Sequence, residues 1–96
     1  MIATRKIRPF SLGKVVATPG ALAAIEQAGQ TPATFLDRHA KGDWGVVDGD
    51  DWVLNDEALE DGTRLLSAYR TGDDVRIWVI TEADRSSTCI LLPDEY

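Results

Sequence analysis

The sequence predicts an α+β domain in which an N-terminal short strand and two to three short helices pack on a C-terminal three-stranded antiparallel meander. Between residues 18 and 62, apolar residues recur at helical spacing, and each run follows a capping residue and ends at a glycine. From residue 63 onward, apolar residues alternate with a period of two in three runs joined by short turns. The 96 residues, 44% of them apolar, suffice for one modest core, so we predict a single domain over residues 14–96.

A basic segment precedes that domain. Residues 1–13 carry Arg5, Lys6 and Arg8 but no acidic residue, and we expect them to form a loosely attached arm. Residues 14–17, KVVA, favour a short edge strand because two adjacent β-branched residues prefer extended backbone. An exposed edge at Val15-Val16 would allow a homodimer.

The stretch 18–42 repeats one pattern, in which Thr-Pro opens an apolar run and Gly closes it. Thr18 and Thr31 are expected to cap the helices, with proline at the first helical position. Gly29 and Gly42 are expected to supply the left-handed residue that ends each helix. The residues predicted to face the core are Leu22, Ile25 and Ala28 on the first helix and Phe35, Leu36 and His39 on the second.

The remaining elements follow a turn-rich, acidic connector. A third helix is predicted over residues 51–60, capped by Asp48 or Asp50 and closed by Gly62. The strand-like runs are residues 63–70, 75–83 and 87–93. The middle run has apolar residues on both faces, so it suits the central strand, with Trp78 on a second, partly covered face.

Charge is distributed unevenly along the chain. The net charge is −6, yet residues 41–61 alone hold eight acidic residues and one lysine, for a net charge of −7. Such a segment repels phosphates, so we expect nucleic-acid binding only through the basic arm. A DNA-binding regulator that reads bases with the 18–42 helix pair is an alternative, although Asp37 on the second helix would face phosphates.

The acidic connector is the predicted site of function. Tryptophan is enriched at protein interfaces, and two of the three tryptophans lie in this polar segment. We therefore predict a protein partner. The candidate interface residues are Asp43, Trp44, Asp48, Asp50, Asp51 and Trp52. The stretch DGDDWVLND does not follow the calcium-binding loop pattern, and no metal or cofactor is predicted.

A second, polar site is an alternative. His39 is the only histidine, and Glu82, Asp84 and Arg85 lie near Trp78 in sequence, a mixture that is able to perform acid–base chemistry. A helix histidine against the core and a solvated hairpin turn are the simpler interpretations. No catalytic residue is assigned, and we predict a protein that is not an enzyme.

The location of the protein is predicted from what the sequence lacks. The single cysteine, Cys89, cannot form an internal disulfide, and we predict that it is a small buried apolar residue. No apolar run is long enough to span a membrane, and the first residues do not resemble a secretory signal. We expect a cytoplasmic protein with no membrane contact.

A resemblance to a known family rests on four stretches of the chain. They are GKVVATPGALAAIEQAG, TPATFLDRHAKGDWG, GTRLLSAYR and IWVITEADRSSTCILLPDEY. With them, the chain resembles a family of short uncharacterised bacterial proteins encoded on plasmids and other mobile genetic elements. Some members are labelled type I restriction-modification methyltransferase subunit. The resemblance implies a mobile-DNA setting and supplies no catalytic residues. From that setting and the acidic charge, we predict a DNA-modification or defence complex as the partner. A methyltransferase would need a cofactor-binding βαβ unit with a Gly-rich turn, which this sequence lacks.

The order of elements also resembles that of the RelE/ParE toxins, which have a strand, a helix pair and a three-stranded meander. That resemblance implies a ribonuclease as an alternative function. The toxins that cut RNA are basic at the cleft, whereas this chain is acidic. A similar topology does not establish a similar function.

Overall fold

The computed structural model describes residues 9–96 of the chain, so Arg5, Lys6 and Arg8 of the predicted basic arm lie outside the described residues. Within residues 9–96 the chain forms a four-stranded sheet and three α-helices, which confirms the α+β class. In chain order the elements are β1 (Lys14–Ala17), α1 (Pro19–Gln27), α2 (Pro32–Ala40), α3 (Gly49–Asp61), β2 (Leu65–Arg70), β3 (Arg76–Thr81), β4 (Ser87–Leu91) and a C-terminal 3-10 helix (Pro93–Glu95).

The sheet has the order β1-β4-β3-β2. Strands β2, β3 and β4 form the predicted antiparallel meander, with β3 between its neighbours. The first strand is an edge strand, as predicted, but it joins the meander, so the sheet has four strands and not three. It pairs in parallel with β4, with Val16 opposite Cys89, and becomes a fourth strand at the edge. Parallel pairing needs a long crossover connection, and the helical segment that follows β1 begins that crossover.

The main core lies between the helices and one face of the sheet. Its fully or almost fully buried members are Ala21, Ile25, Phe35, Tyr69, Ile77, Val79 and Ile90. Trp78 points to the opposite face, as predicted, where it is half-buried. The Tyr96 ring packs against it in an edge-on geometry, with ring centroids 5.6 Å apart. The C-terminal residues thus cover part of the face that the helices leave open.

The capping pattern is confirmed at one helix and only partly at the other. Thr18 Oγ1 accepts a hydrogen bond from the Ala21 amide at 3.1 Å. Thr31 occupies the same position before Pro32, but its side chain makes no capping bond. The Thr34 amide donates to the Thr31 carbonyl instead, at 3.1 Å. The prediction of a side-chain cap at Thr31 is therefore wrong, because the backbone already satisfies that amide.

The third helix starts two residues earlier than predicted. Asp48 Oδ1 accepts from the Asp51 amide at 2.9 Å, which makes Asp48 the cap and places Gly49 in the first turn. Gly62, with φ of +72°, ends the helix in the left-handed conformation as expected. The helix closes over a second, smaller core. Its members are Trp44, Ala58 and Leu65, with Phe10, Val47, Trp52 and Leu59 partly buried around them.

Two residues that we had assigned to the arm contact the domain. Phe10 packs in the second core, and the Leu12 carbonyl accepts a hydrogen bond from Thr88 Oγ1 at 2.7 Å. The ordered contacts of the domain therefore begin before residue 14.

The two edges of the sheet differ. At the β2 edge, the Val46 amide donates to the Ala68 carbonyl at 2.7 Å, and the Ala68 amide donates to the Trp44 carbonyl at 3.0 Å. The Asn55 side-chain amide extends this pairing, since it donates to the Leu66 carbonyl at 2.7 Å and accepts from the Leu66 amide at 3.1 Å. At the β1 edge, no further strand pairs with the sheet within residues 9–96.

Candidate protein-interaction surface

Asp43 holds the start of the acidic connector in place. Its carboxylate accepts from Arg38 Nε at 2.7 Å and from the Gly45 amide at 3.1 Å. Its carbonyl accepts from the Tyr69 hydroxyl at 2.6 Å. Burial raises the pKa of the Tyr69 phenol, so the hydroxyl keeps its proton and acts as a donor. Asp43 therefore connects α2, the connector and β2, and its carboxylate already has internal partners.

Trp44 is not available to a partner. Its side chain is fully buried, and the indole Nε1 donates to Asp56 Oδ1 at 2.9 Å. The prediction that Trp44 contributes to an interface is wrong. Pairing of this segment with the β2 edge turns the indole inward, where it packs with Ala58 of α3 and Leu65 of β2. A large apolar ring with one polar atom is well suited to such a place when that atom finds a partner.

The other four predicted interface residues lie at the start of α3. Asp48, Asp50 and Asp51 are exposed, whereas Trp52 is half-buried against the second core. Asp50 and Asp51 occupy the first helical turn, where the helix dipole favours negative charge. The structure thus leaves three carboxylates of the predicted interface facing solvent.

The polarity of α3 is partly reversed relative to an ordinary surface helix. Two polar residues, Asn55 and Asp56, point toward the protein, where they bond to β2 and to Trp44. Two large apolar residues point outward, with Val53 55% exposed and Leu54 59% exposed. Surface helices usually place apolar side chains inward and polar ones outward. An exposed apolar pair on such a helix requires an explanation other than packing.

The outward apolar pair lies between carboxylates. Residues three, four and seven positions apart share one face of a helix. That spacing groups a set which we call the α3 stripe: Asp50, Val53, Leu54, Glu57 and Asp61. All five side chains are exposed. Sequence reasoning missed the apolar members of this stripe. The available signal was that Trp52 and Leu59, seven residues apart, define an inward face from which Val53 and Leu54 are excluded.

His39 lies inside the domain and not at a surface site. It is fully buried, with its Nδ1 2.5 Å from Ser67 Oγ and its Nε2 2.8 Å from Thr81 Oγ1. Thr81 Oγ1 lies 2.7 Å from Thr88 Oγ1, which donates to the Leu12 carbonyl. These groups form one continuous buried chain of hydrogen bonds.

The last member of this chain fixes the direction of the protons as far as His39 Nε2. The Leu12 carbonyl only accepts, so Thr88 donates to it and must accept from Thr81. Thr81 has then used its single proton and accepts from His39 Nε2, so Nε2 carries a proton. In a neutral imidazole Nδ1 then has no proton and accepts from Ser67.

The surroundings of His39 agree with a neutral ring. Burial lowers its pKa to about 4, and the positive charge of Arg85 adds to the effect. The rings of Phe10 and Trp44 pack against it edge-on, at centroid distances of 5.5 and 5.6 Å. An imidazole with both nitrogens bonded and no exposed surface has no route to a substrate proton, so the structure does not support a general base here.

The polar site predicted around His39, Glu82, Asp84 and Arg85 does not form. Arg85 Nη2 donates to the Ala58 carbonyl at 3.0 Å, and Nη1 donates to the Thr63 carbonyl at 2.6 Å. Its guanidinium thus binds the backbone at the end of α3, a structural role that favours a cation.

The two carboxylates also have separate partners. Glu82 accepts from Arg64 Nη2 at 3.2 Å, and Arg64 Nη1 donates to the Tyr96 hydroxyl at 2.7 Å. Asp84 accepts from the Ser86 amide at 3.0 Å within the hairpin turn. The Ser86 side chain, followed by this amide, lowers the pKa of the Asp84 carboxyl. No common substrate position lies between these groups, because each is engaged in a different local contact.

Cys89 is half-buried on the sheet face opposite the helices, and so is less buried than predicted. Burial, followed by the charges of Glu95 and Glu82, raises the pKa of its thiol, which makes it a weak nucleophile. No set of His, Cys, Asp and Glu side chains within residues 9–96 is arranged to hold a metal ion.

None of the helices in residues 9–96 combines the length and the apolar character that crossing a bilayer requires. Comparisons with family models, with curated proteins and with solved structures gave no match for this chain. The resemblances described above therefore stay predictions, and the exposed surface of α3 is the main basis for a function.

Proposed function

We propose that this chain is a protein-interaction module that binds a basic protein surface through the α3 stripe. The observation that carries the proposal is the exposure of Val53 and Leu54, each by more than half, on a helix whose inward face includes two polar residues. Apolar side chains at the centre of a patch and charged side chains at its rim are the usual anatomy of a protein interface. An amphipathic helix laid in a partner groove is a common form of such recognition.

The charge around the stripe specifies the partner chemically. Asp50 and Glu57 flank the apolar pair, and the surrounding segment, residues 41–61, has a net charge of −7. A basic surface would gain from this field mainly in association rate and in discrimination against acidic partners. We therefore propose a partner with a shallow apolar groove bordered by lysine and arginine.

Proteins that bind nucleic acids have such basic surfaces. The sequence resemblance to mobile-element proteins supports a partner of that class, within a DNA-modification or defence complex. In this proposal the chain performs no chemistry of its own, and its acidic helix occupies a surface that nucleic acid would otherwise contact.

The apolar part of the proposal is tested with a matched pair of variants. Leu54→Ser removes the most exposed apolar side chain of the stripe. The control, Val75→Ser, removes an apolar side chain that is 38% exposed and lies just before β3. Tagged wild-type and variant proteins are used to capture partners from an extract of the source cells, and captured proteins are identified by mass spectrometry. We expect Leu54→Ser to lose a partner that wild type and Val75→Ser retain.

The charged part is tested in the same way. Asp50→Asn with Glu57→Gln neutralises the stripe, whereas Asp73→Asn with Asp94→Asn removes the same charge from exposed positions elsewhere. We expect only the first pair to weaken binding, and salt to weaken binding of the wild type. Equal capture by all variants, or loss with the control pair alone, would refute a role for the α3 stripe.

A further inference from the structure

The open edge of the sheet carries a second inference, which does not depend on the α3 stripe. At the start of β1 the Lys14 amide donates to the Ser86 carbonyl, and directly after β1 the Thr18 amide donates to the Ile90 carbonyl. In a parallel ladder, alternate residues direct both backbone groups to the same neighbour. The amides and carbonyls of Val15 and Ala17 therefore point away from β4, toward the open edge.

This edge is short and carries Lys14, both of which limit strand pairing, but it lacks other features that block it. Residues 14–17 contain no proline, and within residues 9–96 no helix or further strand pairs along them. Val15 and Val16 are 43% and 42% exposed, one on each face of the strand. The opposite edge is closed by the connector and by Asn55. An unblocked edge with exposed β-branched residues is a template for another strand.

We propose that two copies of this chain associate through β1, in an antiparallel pair with its two-fold axis at Val16. In this register Val15 of one copy lies opposite Ala17 of the other. All the outward-facing amides and carbonyls of these residues are then used, in four hydrogen bonds across the two-fold axis. The two Val16 side chains face each other with their Cβ atoms about 5 Å apart, a favourable contact for β-branched residues.

The same register pairs opposite charges. Lys14 of one copy lies opposite Thr18 of the second copy, and the Thr18 hydroxyl donates to Glu95 at 2.6 Å. Each Lys14 ammonium is thereby brought close to the Glu95 carboxylate of the second copy, and symmetry provides this contact twice. Backbone direction alone defines this register, so the charge match is independent support for it.

A second copy also fits this edge better than it fits the rest of the surface. The segment of net charge −7 covers the β2 edge, and β4, β3 and β2 separate it from β1. Pairing through β1 places the two acidic segments at opposite ends of an eight-stranded sheet. This separation limits the repulsion between two chains of net charge −6.

Amide hydrogen exchange of the wild-type chain, measured by NMR across a concentration series with sedimentation in parallel, tests the proposal. We expect the mass to rise from 10.5 kDa toward twice that value, with protection of the Val15 and Ala17 amides rising in step. Protection of both amides in a chain that sediments as a monomer would mean that another part of the same chain covers the edge, and would overturn the proposal. A monomer with unprotected amides at about 1 mM protein would overturn it as well.

Two sets of variants test the register. Val16→Glu places two carboxylates face to face at the two-fold axis, so we expect it to abolish dimers, while Val16→Thr keeps the branched shape and retains them. Lys14→Glu is expected to weaken the dimer at least tenfold, and adding Glu95→Lys to restore it. Circular dichroism checks that each variant is folded. A folded Val16→Glu variant that still dimerises would refute the proposed pairing, and a charge swap without rescue would refute the register.

Discussion

The buried histidine makes the stability of this domain depend on pH in a predictable way. His39 has a pKa of about 4 in the folded chain, against 6.5 for an unperturbed imidazole. Between these values the unfolded chain binds a proton that the folded chain does not. The contribution of the neutral His39 to the free energy of unfolding is therefore fully present above the unfolded pKa. It is lost as the pH falls from about 6.5 to about 4.

The size of the loss follows from the difference in pKa. Each pKa unit corresponds to 1.36 kcal/mol, so the full difference corresponds to about 3 kcal/mol, of which about 2 kcal/mol is already lost at pH 5. That is a large part of the stability of a domain this small. The proton would also require Nδ1 to become a donor, although it now accepts from Ser67.

Urea unfolding at pH 7 and pH 5 measures this effect, with His39→Gln as the reference. Glutamine keeps a donor and an acceptor but does not titrate, and the carboxylates titrate alike in both proteins. We expect the wild type to lose about 2 kcal/mol more than the variant between these pH values. Parallel losses in the two proteins would refute the assignment of a neutral, buried His39.

Two further pairs of variants test the local geometry. Thr18→Ala should lose about 1 kcal/mol in urea unfolding and Thr31→Ala much less, because only Thr18 caps with its side chain; equal losses would contradict the difference between the caps. Gly45→Ala should lose more than about 3 kcal/mol in thermal unfolding, since φ is +80° and a Cβ atom would collide with the Ala68 carbonyl. Gly49→Ala, with no atom near the new Cβ, should change stability by less than about 1 kcal/mol, and a similar loss at both glycines would argue against the connector–β2 pairing.

The features that sequence predicted well are those set by neighbours in the chain. The Thr18 cap, the Asp48 cap and the left-handed Gly62 each depend on two or three adjacent residues. The meander depends on alternation and on short turns, which are also local. The order of the strands was harder to predict from the sequence, because nothing within residues 14–17 shows that β1 pairs with β4 near the other end of the chain.

The candidate site was harder to predict than the fold. Trp44 and Val53 occur in the same acidic segment, yet one is fully buried and the other more than half exposed. Which of them points inward is decided by Asn55 and Asp56, whose partners lie on β2 and in the connector. Composition pointed to this segment as the candidate site, but burial within it depended on contacts between residues 11 or 12 positions apart.

The Asn55 amide has a consequence for how large an assembly of this chain can become. It completes the closure of the β2 edge by taking the place of a neighbouring peptide group. A sheet with two open edges can add copies without limit and grow into a fibre. Of the two sheet edges within residues 9–96, β1 is the open one, so in the proposed dimer growth by strand pairing stops once two copies have met. In that assembly a single helix side chain helps to separate a finite pair from an open-ended polymer.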